Sequence, residues 1–344
     1  MPTIESGGGA APSATTFPHG FAHAQGRRPT MEDEILAMSL VDGEDVQLFA
    51  VFDGHGGRKA VERIVHLVPD ALRGALAASA SPTAWPRLTP EALTGALCTV
   101  DAKLLAESAA EGDWDDGSTA LIVLTNGHGK PLQIAQLGDA QAVLCGAMGV
   151  EALCAQHRVG DPAEDARLAA CGAVADEYGR LVGNGRGVSA TRSLGDAAVK
   201  NAAGSGLTAV AQVSLHNLSP ADELLILGCD GIWDVMEPDV AWEIATRVGK
   251  KRGEWDLAAA AAALVQGALD RDTGDNVSVL CIGLKKPRAA RAVAGARVAP
   301  TSQRAAAVAR AGAAGRGQQP ISVKLGSNGQ LLAMSAASGP GAGG

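Results

Sequence analysis

The sequence predicts an α+β fold in which antiparallel sheets are covered by helices. Strand-like apolar runs follow one another in hairpin succession, with Gly, Asn and Asp at the turns between them. The strict alternation of strand and helix that marks a parallel sheet is absent. Apolar residues make up 47% of the chain and aromatics only 3%, so Ala, Val and Leu must pack the core.

Residues 1–16 are rich in Gly, Ala, Ser and Thr and read as a disordered extension. Residues 35–40 and 46–52 form a hairpin pattern around the Asp42-Gly43 turn. A helix is expected over 58–78, where Val61, Ile64, Val65, Val68, Leu72 and Leu76 recur at helical spacing. A second spans 89–110, with Thr89 as N-cap and Pro90 at the first helical position. Strands at 119–125, 132–137, 142–145 and 150–154 follow, and a short helix at 162–171 enters a Gly-rich stretch, 172–195. The pattern then gives strands at 207–215 and 223–229, and helices at 240–248 and 255–269, the latter holding six consecutive alanines. Asp275-Asn276 opens a last strand at 277–284.

One large domain is therefore expected over 17–285. Nine of the 29 Lys and Arg residues fall within 285–344, which contain no Asp or Glu although the net charge of the chain is −8. Residues 286–344 read as a mostly disordered basic tail that could contact acidic partners, with one hairpin candidate at 320–334 around Asn328-Gly329. Nucleic acid is not expected at the acidic domain, and a monomer is expected. No apolar run approaches the ~20 residues of a membrane span. The start lacks a signal-peptide pattern, and Pro2 rules out N-myristoylation. The six cysteines form no C-x-x-C pair, so buried free thiols in a reducing cytoplasmic or nuclear setting are expected.

Three apolar strands run straight into aspartate: Phe49-Ala50-Val51-Phe52-Asp53-Gly54, Ile134-Ala135-Gln136-Leu137-Gly138-Asp139, and Leu225-Ile226-Leu227-Gly228-Cys229-Asp230-Gly231. Asp275 is the mirror case, immediately before a strand. Any one Asp-Gly is ordinarily only a turn. Repeated after buried strands, however, a poor strand former needs another reason. Converging carboxylates ~4 Å apart repel by about 4 kcal/mol at an effective dielectric near 20, so protons or cations must neutralise them. All-oxygen ligands favour hard ions such as Mg²⁺ or Mn²⁺.

Seven motifs then line up in order: Arg28-Pro29-Thr30-Met31-Glu32-Asp33, Asp53-Gly54-His55-Gly56-Gly57, Asp116-Gly117-Ser118-Thr119-Ala120, Leu137-Gly138-Asp139, Thr191-Arg192-Ser193-Leu194-Gly195-Asp196, Cys229-Asp230-Gly231-Ile232-Trp233-Asp234 and Asp275-Asn276-Val277-Ser278. This series resembles the type 2C (PPM family) metal-dependent serine/threonine protein phosphatases over about residues 20–284. The resemblance implies a four-layer α/β/β/α sandwich with a two-metal site at one end, acting on phosphoserine and phosphothreonine in proteins by direct attack of a metal-bridging hydroxide. By motif position it makes Asp53 the bridging ligand, with the Gly54 carbonyl on one ion. Asp230 and Asp275 are implied on the first ion, and Glu32 and Asp33 on the second ion's side, partly through water. Asp139 and Asp234 match positions linked to a weaker third ion. Arg28 is implied to grip the substrate phosphate, and His55 to protonate the leaving oxygen.

The chain departs from the family pattern at Ala140-Gln141, at Gln156-His157-Arg158-Val159 and along 208–213, which bears on the third ion and on a flap at about 155–192. Another class of phosphatase is not expected. No cysteine carries the His-Cys-x5-Arg signature, and a Walker loop and His-Glu-x-x-His are missing. The competing reading is a catalytically dead scaffold, disfavoured because every carboxylate implied for the two-metal core is present.

Overall fold

The computed structural model describes residues 3–9, 16–79, 84–112 and 114–285. The tail 286–344, its hairpin candidate, and residues 1–2 and 10–15 lie outside the described residues.

The described residues form eleven long strands: β1 (Glu5–Gly9), β2 (His19–Ala24), β3 (Glu34–Ser39), β4 (Gln47–Phe52), β5 (Ala120–Thr125), β6 (Leu132–Leu137), β7 (Gln141–Gly146), β8 (Gly149–Ala152), β9 (Gln212–His216), β10 (Asp222–Gly228) and β11 (Val277–Gly283). The long helices are α1 (Lys59–Ala77), α2 (Pro90–Ala110), α3 (Pro162–Ala170), α4 (Pro238–Gly249) and α5 (Leu257–Leu269). One sheet has the order β1-β2-β11-β10-β7-β8 and the other β9-β6-β5-β4-β3. Every neighbouring pair in both is antiparallel.

The period-2 pattern of the strands sets the layers. On β4, Leu48, Ala50 and Phe52 face α1 and α2, packing with Ile64, Leu72 and Leu97. Phe49 and Val51 point the other way, into a central core with Leu121, Leu225, Leu227 and Leu280. The outer face of the six-stranded sheet, through Ile226, Val279 and Cys281, meets Ile244 of α4 and Ala260, Ala261 and Leu264 of α5. The result is the expected α/β/β/α sandwich. The predicted Thr89 cap is present, its hydroxyl accepting from the Ala92 N–H (3.2 Å), and Asp256, which the sequence reading placed inside a helix over 255–269, caps α5 by accepting from Ala259 N–H (3.0 Å).

Two expectations need correction. Part of the extension read as disordered is an ordered edge strand, β1, in register with β2 from Glu5–His23 to Gly9–His19. It carries no apolar signal because backbone pairing and a Glu5–His23 contact (3.4 Å) hold it. The strand expected over 207–215 starts only at Gln212. Leu207 instead joins a small separate core with Leu168, Leu181, Val188, Ala190 and Val199, so the flap unit reaches beyond residue 192.

Candidate active site

The topology explains why distant aspartates meet. β4 and β6 are both antiparallel to β5, so both end at the same edge, delivering Asp53 and Asp139. In the other sheet, β10 ends where its antiparallel neighbour β11 begins, which places Asp230 beside Asp275. The two strand-end pairs face each other across the sandwich. Carboxylate oxygens of Asp53, Asp139 and Asp230 lie within 4.8 Å of one another, and the same limit holds for Asp33, Asp53 and the Cys229 thiol. Asp53 belongs to both groups and is the pivot of the site.

The carboxyl groups carry the electrostatic cost of this convergence. Burial pushes Asp33 up to about 7, reinforced by the Asp275 and Asp230 charges. Burial and the Asp139, Asp275 and Asp234 charges hold Asp230 at about 7, with Arg158 opposing. Asp53 lies well above the ordinary carboxylate range, through burial and then Asp33, Asp230, Asp139 and Asp275.

A hard divalent cation fits this donor set. Asp33 is 1% exposed, and neither of its oxygens has a hydrogen-bond partner. A buried carboxylate without donors calls for positive charge. Burial also drives the Cys229 thiol far above its usual range, so it stays protonated and the available ligands are oxygens.

The backbone around Asp53 is fixed by hydrogen bonds and by two glycines. Asp53 N–H donates to the Thr119 hydroxyl (3.2 Å), and its carbonyl accepts from Thr119 N–H (2.9 Å) and the Ser118 hydroxyl (3.1 Å). A Cβ on Gly54 would sit 2.2 Å from the Glu32 carbonyl oxygen, and one on Gly231 would sit 1.9 Å from that of Asn276. Only glycine lets these segments approach so closely.

The other candidates divide. Arg28 Nη2 donates to Asp275 Oδ2 (2.6 Å), so the structure brings it to the carboxylates with its side chain 51% exposed. The Glu32 carboxylate lies outside both close groups and accepts from the Thr30 hydroxyl (2.7 Å), while its N–H donates to Asn276 Oδ1 (2.8 Å). His55 Nε2 lies 2.8 Å from Asp196 Oδ1, and Asp196 is 2% exposed. Burial disfavours the His55 imidazolium, but the Asp196 charge and hydrogen bond outweigh it and leave the ring's pKa raised. Asp234 is bound to Arg158 at the rim, its Oδ1 accepting from Nη1 (2.8 Å).

The family model described as protein phosphatase 2C matches residues 17–277. The chain belongs to the protein phosphatase 2C family. It is 31% identical over 296 residues to probable protein phosphatase 2C 68 of Oryza sativa subsp. japonica, covering 79% of each chain. It is also 31% identical over 238 residues to protein phosphatase 2C homolog 2 of Schizosaccharomyces pombe, covering 66% of this chain and 61% of that protein. The solved serine-threonine phosphatase 2C from Toxoplasma gondii shares the fold, with TM-score 0.68, 22% identity, and coverage of 83% of this chain and 100% of that one. Protein phosphatase 2C enzymes are a metal-dependent family of protein phosphatases, which are hydrolases.

In this phosphatase, reading the sequence missed three groups that the fold brings into play. Asp196 ends the quoted motif Leu194-Gly195-Asp196, yet only the fold puts it against His55. Asn276 ties the Glu32 segment down, its side-chain amide donating to the Gln25 (2.8 Å) and Thr30 (3.0 Å) carbonyls. Arg158 had one signal, the departure at Gln156-His157-Arg158-Val159. Among the described residues, no helix is long and apolar enough to cross a membrane.

Proposed function

We propose that this chain hydrolyses phosphoserine and phosphothreonine in proteins by direct attack of water on phosphorus, with two Mg²⁺ or Mn²⁺ ions bound at the carboxylate cluster. The observation that carries this reading is the sharing of Asp53 between two groups of potential ligands. When bound, the ions supply charge to neutralise phosphate oxygens and lower the pKa of a water molecule.

The chain's own groups would do the rest. Asp53 is assigned to both ions, Asp230 and Asp275 to the first, Asp33 and Glu32 to the second ion's side, and the Gly54 carbonyl to one of the two. Arg28 sits at the mouth on Asp275, within reach to exchange that carboxylate for a phosphate oxygen through its planar fork. His55, whose protonated form Asp196 favours, is assigned the proton for the departing seryl or threonyl oxygen. Because water attacks directly, no phosphoryl group is transferred to the protein.

The test is phosphate release from a phosphothreonine peptide with Mn²⁺ against the same assay in EDTA. Turnover in Mn²⁺ that EDTA abolishes is the expected outcome, and equal rates in both would contradict the proposal. The scaffold reading requires no turnover in either.

A further inference from the structure

Arg158 penetrates the acidic cluster. Its Nε donates to Asp139 Oδ2 (2.6 Å) and its Nη2 to Asp230 Oδ2 (2.8 Å). Asp234 is gripped end-on, Oδ1 accepting from Nη1 (2.8 Å) and Oδ2 from Nη2 (3.2 Å). One guanidinium therefore bridges three carboxylates and engages both oxygens of Asp234. This is the fork geometry at which arginine exceeds a point charge.

The guanidinium is delivered from a backbone clamped to one of those carboxylates. His157 is 2% exposed, and its N–H donates to the Gly138 carbonyl (3.1 Å). The Gly138 N–H returns a bond to His157 Nδ1 (3.2 Å). With Nδ1 accepting, the ring proton lies on Nε2, which faces Gln212 Oε1 at 2.8 Å. Thr191 N–H donates to the His157 carbonyl (2.8 Å), securing the flap side. Arg158 and Asp139 thus stem from residues joined by reciprocal hydrogen bonds. The guanidinium acts as a tethered cation at high effective concentration.

Asp139 and Asp234 are the pair that the family resemblance links to a third ion. A divalent ion there would need Asp234 oxygen, and both Asp234 oxygens are taken. We propose that Arg158 serves as a built-in replacement for that ion, closing the Asp139–Asp234 position and leaving the enzyme with two ions. Arg158 takes the Oδ2 atoms of Asp139 and Asp230 and engages neither Oδ1 atom. This inference rests on the two-ion reading above and concerns only the ion beyond it.

The test counts ions instead of turnover. Full-length protein is titrated with Mn²⁺ into the millimolar range, with free Mn²⁺ followed by electron paramagnetic resonance, for wild type, Arg158→Ala and the length-matched Arg158→Gln. Two ions per wild-type chain and a third, weaker ion in both variants is the expected result. Adding Asp234→Asn to Arg158→Ala should remove the third ion and keep the first two, which also shows that the variant is folded. Three ions on wild type, or two on both variants, would overturn the inference and leave the two-ion reading standing. No ions on wild type would overturn both.

Discussion

His55 Nε2 lies 2.8 Å from Asp196 Oδ1, and the Asp196 Oδ2 accepts a 2.5 Å hydrogen bond from the Ser193 hydroxyl. A carboxylate so enclosed orients the imidazole and holds its proton, which makes Asp196 a positioning residue for the proposed general acid. Asp196→Asn should lower kcat on a phosphoserine peptide by about 10²-fold, the usual scale of general-acid loss. On an aryl phosphate, whose leaving group departs without a proton, the loss should stay under about tenfold. An equal loss on both substrates would mean that Asp196 supports structure alone.

Glu164 fastens the flap. It is 1% exposed and accepts from Arg167 Nη2 (2.8 Å), the Thr191 hydroxyl (2.5 Å) and Arg192. Burial opposes its charge, but Arg192, Arg167 and Thr191 outweigh burial and bring the carboxyl down to about 2. A depressed carboxyl stabilises the folded state above its unfolded value near 4.5, and that contribution is lost as pH falls toward 2. Glu164→Gln should destabilise by about 3 kcal/mol at neutral pH, because two arginines lose their partner. The gap in denaturation midpoint between variant and wild type should narrow below pH 4.5. A gap that stays constant down to pH 3 would contradict this account.

The unpartnered Asp33 carboxylate predicts how metal removal acts on stability. Adding Mn²⁺ to EDTA-treated protein should raise the melting temperature, with about 2.7 kcal/mol gained at a hundredfold excess over Kd. In Asp33→Asn the buried charge is gone, so the Mn²⁺-induced rise should shrink. Differential scanning calorimetry reads both, and an undiminished shift in the variant would separate Asp33 from the cation site.

Direct attack by water also makes a chemical prediction. Acid-quenching a reaction with ³²P-labelled phosphopeptide in steady state should leave no label on the protein. Labelled protein at a constant fraction of the enzyme would require a covalent intermediate.

Much of this was legible in the sequence because the signals are local. Thr89-Pro90 announces α2, and Asp53, Asp139 and Asp230 each end an apolar strand in plain view. The sandwich itself was implied by the family resemblance, and the unbroken apolar run Leu48, Phe49, Ala50 and Val51 fits it because its side chains serve two different cores. What stayed hidden depends on partners remote in sequence. β1 is held by pairing with β2 and has no apolar pattern of its own. The His55–Asp196 contact spans 141 residues and the Arg158–Asp234 contact 76, and neither spacing has a periodicity to betray it. Leu207 looked like strand because it is buried, yet its burial is in the flap core.

The shared position of Asp53 is the center of the account, and one comparison tests it most directly. Phosphate release from a phosphothreonine peptide is measured for wild type and Asp53→Asn across a full Mn²⁺ titration. The account predicts saturable Mn²⁺ activation of wild type and a loss of at least about 10³-fold in Asp53→Asn that no Mn²⁺ concentration restores. An Asp53→Asn variant that reaches the wild-type rate at high Mn²⁺ would contradict it.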